Sequence, residues 1–354
     1  MIKQVFSELE ISSVKKETEN SSRIRFSIPR ALTYQFSHKP GQYISVQFDT
    51  KKGTHIRTYS ISSEPNNKYI EIGVKHIEKG IFSKFLQTKK TGDKILISNP
   101  EGKFFPSRKN PKKLLLIAAG SGITPIMSIL KSSLKNEPET KIALLYSNKS
   151  YADMMFKEEL QDLKDKYIDR LLVNNFFSRE AQSTEILNGR ITKDKVELLQ
   201  KKSLMDLHSV DQIFICGPIE MTRELQSYFK KFGISEKKIK TELFFVTPTK
   251  DFKIKSKNLK TTQSKIDITM DGSRKTFFMK RNEDFIEKAN QFGINIPYSC
   301  KNGMCATCRC KVISGAAKMR KNYSLEEWEI KKGFILSCQL EPVDKEISLD
   351  FDII

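Results

Sequence analysis

The chain has 354 residues, more than one ordinary hydrophobic core accommodates, which predicts two or three domains. Hydrophobic residues make up 38% and charged residues 29%, as in globular proteins, and no run of about 18 apolar residues predicts a membrane span. The net charge of +20 comes from lysines spread along the chain, without an arginine-rich block or a nucleic-acid recognition motif, so nucleic acid is not an expected partner. Two interpretations of this charge stay open: a solvated lysine-rich surface, or a basic docking face for an acidic protein.

The first residues contain no apolar run of signal-peptide length, which predicts a cytoplasmic protein. Six cysteines in such a chain argue against a disulfide framework, because the cytoplasm keeps thiols reduced. Four of the six lie between Cys300 and Cys310, and this clustering indicates a metal or cluster site.

Residues 1–110 alternate short β-rich runs with turn residues, which predicts an antiparallel sheet or β-barrel. One helix is expected at about residues 80–88. The tetrapeptide Arg57-Thr58-Tyr59-Ser60 is expected to end a loop, although such a short string is weak evidence when it stands alone. The predicted strands are residues 23–28, 43–48, 69–76 and 94–97.

Residues 111–246 alternate apolar runs with helical patterns, which predicts βαβ units around a parallel sheet. The first run, residues 113–119, is almost continuously apolar, as expected of a strand covered on both faces. The predicted strands are residues 113–119, 141–146 and 213–216, and the predicted helices are residues 125–133, 156–166 and 220–232.

A glycine turn follows the first of these strands and precedes a helix. It contains Gly120, Gly122, Thr124 and Pro125, and in this context a glycine turn brings backbone close to a pyrophosphate. The third glycine of the Rossmann fingerprint is absent. The turn alone is therefore weak evidence for a dinucleotide.

Lys149 follows the second strand, where the adenosine ribose of a dinucleotide is expected. An acidic residue here would bind the ribose 2′-hydroxyl of NADH, but none follows the strand directly. Lys149, with Ser147 and Ser150, suits a 2′-phosphate, so the sequence favours NADPH over NADH.

Residues 247–262 are rich in lysine and lack an apolar period, which predicts an exposed linker. In residues 263–354 a hairpin is expected around Asp271-Gly272, with strands at residues 266–270 and 276–279. A helix near residues 284–292 and a final strand at residues 347–351 complete the predicted elements.

Cys300, Cys305 and Cys308 form a Cys-x4-Cys-x2-Cys motif, and Cys338 follows at a distance. This is the spacing of plant-type 2Fe–2S ferredoxins, in which each of two irons takes two thiolates. A structural zinc site is the alternative, but zinc sites usually pair two Cys-x2-Cys knuckles and only one is present. Cys310 is expected to be a buried, inert thiol on a strand.

The cysteine segment resembles a plant-type ferredoxin domain of β-grasp fold. The motifs before it resemble the ferredoxin–NADP reductase superfamily, and their order is similar to that of the three-domain reductases of oxygenase systems. The resemblance implies a multidomain protein with an antiparallel β-barrel for FAD, an α/β parallel sheet for the nicotinamide cofactor and an α+β β-grasp domain for the cluster.

In this family the residues matching Arg57 pair with the FAD pyrophosphate, those matching Tyr59 lie along the isoalloxazine, and those matching Ser60 offer a hydroxyl to N5. Residues 73–75 would line the flavin with backbone groups, and residues 80–83 would open a helix towards phosphate. FMN is the alternative flavin. The resemblance thus implies a flavin site made of Arg57, Thr58, Tyr59, Ser60, Gly73, Val74, Lys75, Gly80, Ile81, Phe82 and Ser83.

The same resemblance places Cys216, Gly217 and Pro218 beside the nicotinamide, where the hydride crosses to the flavin. A buried thiol on a strand is the alternative interpretation of Cys216. Glu242 matches the family's Glu-x-Phe element and is expected to orient the site or relay a proton. Ser60, Cys216 and Glu242 are therefore the candidate catalytic residues.

The implied reaction passes electrons from NAD(P)H through FAD and the 2Fe–2S cluster, held by Cys300, Cys305, Cys308 and Cys338, to an iron-dependent oxygenase, hydroxylase or desaturase. One alternative is a diaphorase or reductase that acts directly on a small molecule. A remote alternative is a basic binding protein whose cysteines hold zinc.

Overall fold

The computed structural model describes residues 5–50, 53–66, 68–76, 83, 85–86, 88–107, 111–244, 263–298 and 300–353, without the side chains of residues 49–50 and 53–54. The chain forms two compact units, one drawn mainly from residues 6–247 and the other mainly from residues 248–354. The linker expected at residues 247–262 lies outside the described residues. Among the described helices, none is both long and apolar enough to cross a membrane.

The larger unit begins with a six-stranded sheet. Its strands are β1 (Phe6–Thr18), β2 (Ser21–Ser27), β3 (Tyr43–Thr50), β4 (Gly53–Ser60), β5 (Tyr69–Lys75) and β6 (Lys94–Ser98). Their order is β4-β3-β6-β1-β2-β5, and an antiparallel bridge between Ile61 and Ile72 connects the two edge regions. Alternate apolar side chains such as Leu9, Ile11 and Phe26 are completely buried inside. The predicted antiparallel barrel is confirmed.

Two details of this barrel concern predicted site residues. Arg57, Thr58, Tyr59 and Ser60 were expected to end a loop, but they lie on strand β4, so that expectation was wrong. The β-branched and aromatic residues of this segment favour an extended strand. In the helix expected at residues 80–88, Ser83, Phe85 and Leu86 are helical, whereas residues 80–82 lie outside the described residues.

The larger unit continues with a parallel sheet flanked by helices. Its elements are β7 (Lys113–Ala119), α1 (Ile123–Asn136), β8 (Lys141–Asn148), α2 (Lys157–Lys166), β9 (Leu171–Phe177), α3 (Lys193–Lys201), β10 (Gln212–Gly217), α4 (Ile219–Lys231) and β11 (Ile239–Leu243). Separate buried clusters cover the two faces of the sheet, one including Leu116 and Phe214 and the other including Ile117 and Ile215. The predicted α/β architecture is confirmed.

The strand order of this sheet, β11-β10-β7-β8-β9, contains a topological switch point. The chain runs outwards from β7 through β8 to β9, and then returns to place β10 on the other side of β7. In open parallel sheets the crevice at the carboxyl ends of two such strands binds ligands. The turns after β7 and β10 are therefore the positions at which a cofactor is expected.

A buried ion cluster joins the barrel to the parallel sheet within this unit. The Arg23 guanidinium on β2 lies 2.7 Å from a Glu17 carboxylate oxygen on β1 and 2.6 Å from a Glu159 carboxylate oxygen on α2. Lys131 on α1 lies 2.8 Å from the other Glu159 oxygen. Glu17 also accepts the Phe156 backbone N–H at 2.8 Å, so its carboxylate links both halves of the unit.

The smaller unit has a five-stranded mixed sheet with an additional two-stranded ribbon. Its elements are β12 (Gln263–Met270), β13 (Ser273–Lys280), α5 (Phe285–Gln291), β14 (Arg309–Ser314), β15 (Ala317–Met319), α6 (Glu327–Lys331), β16 (Phe334–Leu336), β17 (Leu340–Pro342) and β18 (Glu346–Asp350). The main order is β13-β12-β18-β14-β16, and α5 buries Phe285, Ile286 and Ala289 in the core. The hairpin turns at Asp271 and Gly272, both with positive φ, as predicted.

Candidate active site and cluster site

Two halves of the larger unit meet at Ser60 and Glu242. Ser60 is the last residue of β4 and is buried, and its hydroxyl lies close to the carboxyl of Glu242 on β11. Glu242 is in turn the register partner of Cys216 on the neighbouring strand β10. The three candidate catalytic residues, far apart in sequence, are therefore brought together at one place.

Glu242 is half-buried on β11. Its Oε2 atom is buried and has no hydrogen-bond partner within the described residues. Burial raises its pKa to about 8, although the Ser60 hydroxyl acts in the opposite direction. Glu242 is thus mainly a neutral acid at pH 7, able to hold a proton beside Ser60.

The Cys216 thiol is completely buried. Burial, with a smaller contribution from the neighbouring Glu242 carboxyl, raises its pKa well above the ordinary value. A thiol in this state is a small apolar group and not a nucleophile. Its environment suits packing against an uncharged ring better than covalent chemistry.

The glycine turn after β7 packs directly on the turn after β10. A Cβ atom on Gly122 would lie 2.3 Å from the Cys216 carbonyl oxygen, and one on Gly217 would lie 3.0 Å from the Ala119 Cβ. Only glycine permits these approaches. The two turns predicted for the nicotinamide cofactor therefore form one surface at the switch point, and this backbone without bulky side chains fits a dinucleotide.

Each turn also leads into a helix of the same sheet. Pro218 precedes α4 directly, and Thr124 and Pro125 lie in the first turn of α1. The Thr124 hydroxyl donates to the Ser121 carbonyl at 3.0 Å and holds the glycine turn in place. The Ile123 backbone N–H donates to the Gly120 carbonyl, so the glycine turn and the start of α1 are continuous.

Gly73, expected to line the flavin, contacts residues of the parallel sheet. A Cβ atom on Gly73 would lie 2.6 Å from Thr124 Cγ2 and 2.8 Å from Met155 Cε. The position therefore needs glycine because the two halves pack against each other there. Its neighbour Val74 is completely buried in the barrel core.

Lys75 extends its side chain from the barrel towards the glycine turn. A Cβ atom on Gly120 would lie 3.8 Å from the Lys75 amino nitrogen. Burial lowers the pKa of this amino group, while Asp153 acts in the opposite direction. The Tyr146 hydroxyl donates to the Gly120 carbonyl at 3.3 Å from the other side, a support that no sequence motif indicated.

The remaining flavin candidates differ in exposure. Arg57 is exposed, with its Nη1 donating to the Ile56 carbonyl at 2.7 Å, whereas Tyr59 is half-buried against the barrel core. Ser83 is buried. Gly80, Ile81 and Phe82 lie outside the described residues. An exposed arginine two residues before a half-buried tyrosine on the strand fits the family's flavin motif.

Lys149 directly follows β8, as predicted, and the structure adds Arg179 beside it. The Arg179 backbone N–H donates to the Lys149 carbonyl at 2.8 Å, and both residues are at the carboxyl ends of their strands. Arg179 was missed because strand β9 was not predicted. Two cations at this edge suit a phosphate group.

The four candidate cluster ligands lie as two pairs of thiols. Cys300 is close to Cys305, and Cys308 is close to Cys338. Within the described residues, no three His, Cys, Asp or Glu side chains are grouped as ligands of a single metal ion. Two pairs fit a two-iron cluster, in which each iron takes two thiolates, better than one tetrahedral zinc.

Backbone N–H groups point at the thiols of this loop. Asn302 and Met304 each donate to Cys300 Sγ at 3.4 Å, and Cys300 donates to Cys305 Sγ at 3.4 Å. Lys301, Gly303 and Ala306 have positive φ, which turns successive N–H groups inwards. Contact with Cys305 and these backbone donors lower the pKa of Cys300, whereas contact with Cys300 and burial raise the pKa of Cys305.

Cys310 contrasts with the four ligand candidates. It lies on β14, as predicted, and is completely buried. Burial raises the pKa of its thiol. A neutral thiol in the core of the smaller unit matches the expected inert role.

Comparison with known proteins identifies all three parts. Residues 8–105 match the oxidoreductase FAD-binding domain family, residues 116–227 the oxidoreductase NAD-binding domain family, and residues 268–343 the 2Fe–2S iron–sulfur cluster binding domain family. The order of the three matches agrees with the order of the folded parts.

Two curated proteins and one solved structure match almost the whole chain. The E subunit of 1,2-phenylacetyl-CoA epoxidase from Escherichia coli K12 is 35% identical over 98% of both chains. The ferredoxin reductase component of 3-ketosteroid-9-alpha-monooxygenase from Rhodococcus rhodochrous is 28% identical over 97% of this chain and 96% of that protein. The structure of phthalate dioxygenase reductase superimposes with a TM-score of 0.65 at 21% identity over 98% of both chains, which shows a shared fold.

Fold, domains and relatives together define an NAD(P)H-dependent oxidoreductase with FAD and a 2Fe–2S cluster. The chain belongs to the family of three-domain reductases that includes the E component of 1,2-phenylacetyl-CoA epoxidase. The predicted family, fold class and cofactor types are confirmed.

Proposed function

We propose that this protein takes a hydride from NADPH and delivers single electrons to an iron-containing oxygenase, hydroxylase or desaturase. The observation that carries the proposal is the junction of Ser60, Glu242 and Cys216, at which the flavin half and the nicotinamide half meet. FAD, when bound, supplies the conversion between two-electron and one-electron transfer, and the 2Fe–2S cluster carries one electron.

On the flavin side, exposed Arg57 would bind the pyrophosphate of FAD, with Thr58 beside it. Tyr59 would support the isoalloxazine ring, and the Ser60 hydroxyl would hydrogen-bond N5. Backbone groups of the strand containing Val74 would border the ring. The neutral acid Glu242 supports this arrangement because it holds a proton next to the Ser60 hydroxyl.

On the nicotinamide side, the two turns at the switch point would bind the pyrophosphate and the nicotinamide. Gly120 and Gly122 allow the close approach, and the Lys75 amino group beside Gly120 would neutralise phosphate charge. The buried Cys216 thiol would pack against the nicotinamide ring. Gly217 and Pro218, which follow Cys216, would leave room for the nicotinamide because neither carries a long side chain.

NADPH is the proposed donor because of the cations beyond β8 and β9. Lys149 and Arg179 are joined by a backbone hydrogen bond, which places the two residues side by side, and both side chains are exposed. The 2′-phosphate distinguishes NADPH from NADH, and paired cations recognise it by charge.

Cys300 and Cys305 would ligate one iron of the cluster, and Cys308 and Cys338 the other, following the observed pairs. The backbone donors at Cys300 would stabilise negative charge on the ligand loop. A reduced set of thiols agrees with the proposed location in the cytoplasm, and all six cysteines are free.

The acceptor class follows from the relatives, which are named as components of an epoxidase and of a monooxygenase. Each name describes one part of a larger oxygenase system. We therefore expect the electrons of this chain to leave to a second protein.

Anaerobic absorption spectra of the purified protein test the proposal. Flavin and iron–sulfur bands should both be present, and NADPH should bleach both faster than NADH does. If excess NADPH reduces the flavin while the iron–sulfur absorption and the electron paramagnetic resonance signal stay unchanged, electrons do not reach the cluster and the proposal is wrong.

A further inference from the structure

The segment that contains the loop ligands has a one-sided charge. From Cys300 to Leu325 it contains six lysines and arginines and no aspartate or glutamate. The cluster is therefore surrounded in sequence by positive charge, although the whole chain also contains 42 acidic residues.

Three of these six cations are engaged by other side chains. Lys301 lies 3.5 Å from a Glu287 carboxylate oxygen, and Arg309 lies 3.3 Å from a Glu329 carboxylate oxygen. The Lys311 amino group lies 5.8 Å from the centre of the Phe334 ring and is half-buried. These three have roles within the fold.

The other three, Lys318, Arg320 and Lys321, are exposed, and we name them the cluster rim. None has an ion-pair partner among the described residues. Three neighbouring cations without internal partners attract anions from solution.

The backbone of the cluster rim contacts both the ligand loop that contains Cys300 and Cys305 and the segment that contains Cys338. The Arg320 N–H donates to the Gln339 carbonyl at 2.8 Å, next to Cys338 in sequence. A Cβ atom on Gly303, between Cys300 and Cys305, would lie 2.9 Å from the Lys321 carbonyl oxygen. The rim thus borders the loop through which an electron would leave.

The segment after the rim is also fixed. The Tyr323 N–H donates to the Gly303 carbonyl at 2.9 Å. The Asn322 carboxamide accepts from the Leu325 N–H and donates to its carbonyl, both at 2.9 Å. A rigid backbone presents the three cations with little ordering cost on binding.

Resting on the proposed function, we infer that the cluster rim docks an acidic surface patch of the acceptor protein. Charges at the edge of an interface steer the encounter of two proteins. At physiological salt their electrostatic influence decays over a distance of about 8 Å. Attraction at the rim therefore places an acidic partner next to the ligand loop. A nucleic acid or an anionic membrane would gain nothing from this proximity to the cluster.

The soluble domain of cytochrome b5, an acidic haem protein, and horse cytochrome c, a basic one, are suitable probe acceptors. The test variant is K318E/R320E/K321E in the full-length holoenzyme, and K318Q/R320Q/K321Q is its neutral counterpart. The matched control K202E/K231E/K237E makes the same change in net charge. It uses exposed lysines of the larger unit that lack ion-pair partners within the described residues.

At low salt the rim variant should reduce cytochrome b5 about tenfold more slowly than the wild type, and cytochrome c faster. The neutral counterpart should be intermediate, and the control should stay within about twofold. Salt should slow the wild type with cytochrome b5 and have less effect on the rim variant. Opposite changes with the two probes cannot come from damage to the cluster.

Equal rates for the wild type and the rim variant with cytochrome b5 would overturn the inference, as would equal effects of the rim and control variants. Rim-dependent binding to duplex DNA or to phosphatidylserine vesicles without a change in the cytochrome rates would also overturn it. Bleaching of the cluster by NADPH in the wild type separates the two hypotheses. Without bleaching the proposed function fails and the rim inference fails with it, whereas bleaching without a rim effect removes only the inference.

Discussion

The Ser60 hydroxyl lies beside the carboxyl of Glu242, and this proximity joins the last residue of a barrel strand to the edge strand of the parallel sheet. Burial raises the pKa of this carboxyl to about 8, which favours its protonated form at neutral pH. A proton is thus held where the two cofactor-binding halves meet. This pair of residues therefore both connects the two halves and holds a proton between them.

Stability should depend on pH through Glu242. Burial raises its pKa from 4.5 to about 8, so between these values the folded chain binds more protons than the unfolded chain. The free energy of unfolding should therefore fall as pH rises through this window, with the contribution fully present only below the unfolded pKa. A pKa difference of about one between the folded and the unfolded chain corresponds to about 1.4 kcal/mol in the free energy of unfolding.

Thermal unfolding of the wild type and of E242Q between about pH 5 and about pH 8 measures this effect. The wild type should lose stability relative to E242Q as pH rises, while the exposed-site control E185Q should follow the wild type. Parallel pH profiles for the wild type and E242Q would contradict the expectation.

Gly122→Ala should disturb the junction of the two turns. The new Cβ atom would lie 2.3 Å from the Cys216 carbonyl oxygen, so the backbone of one turn must move. We expect a loss of about 2 kcal/mol in the free energy of unfolding and about tenfold slower flavin reduction by NADPH. Urea unfolding and anaerobic stopped-flow absorption measure the two effects.

Gly233→Ala is the control for this substitution. Gly233 also lies in the larger unit and has open space around it, with a φ of +95° as its constraint. It should cost about 1 kcal/mol and leave flavin reduction unchanged. Similar kinetics for G122A and the wild type would show that the contact of the two turns is unimportant for the reaction.

Cys308→Ala should abolish the cluster, whereas Cys310→Ala should preserve it. Both thiols are buried in the smaller unit, but only Cys308 is paired with another thiol of the ligand set. Iron and acid-labile sulfide, measured per chain after anaerobic purification, distinguish the two roles. Wild-type iron content in C308A, or loss of iron in C310A alone, would reverse our ligand assignment.

The substitutions K149Q and R179Q together should raise the KM for NADPH about tenfold and change the KM for NADH little. The reason is that the paired cations would contact a group that NADH lacks. Lys141→Gln, at the opposite end of strand β8, is the control. An equal effect on both cofactors would mean that these cations do not recognise the 2′-phosphate.

Arg23→Met should destabilise the larger unit, because it leaves the buried carboxylate of Glu17 and the half-buried carboxylate of Glu159 without their shared guanidinium. We expect a loss of about 3 kcal/mol in urea unfolding. The control K15M removes the exposed ion pair with Glu158 and should cost at most about 1 kcal/mol. Similar losses for the two variants would indicate that the buried cluster contributes no more than a surface pair.

The sequence predicted those elements whose pattern is strong and local. The apolar run of β7, the glycine turn after it and the hairpin at Asp271 were all identified correctly. Strand β1 was missed because its residues Phe6–Thr18 carry many charged side chains on a half-exposed surface. Strand β9 was missed because polar asparagines interrupt its apolar residues.

The sequence motifs indicated which residues take part in the site, but not how they meet. Nothing in the local sequence predicts that Ser60 contacts Glu242, or that the Lys75 amino group reaches Gly120, because both contacts join different halves of the unit. Arg179 could have been found only by pairing β9 with β8. Long-range packing is therefore the part that residue patterns leave undetermined.

The need for glycine at position 73 has an implication for protein engineering. Its space is occupied by Thr124 and Met155 from the parallel sheet, so the barrel and the sheet are shaped to each other at this point. A chimaera that imports only the dinucleotide half from a relative would have to import compatible partners for this glycine as well. Grafts that keep residues 6–244 together preserve that fit.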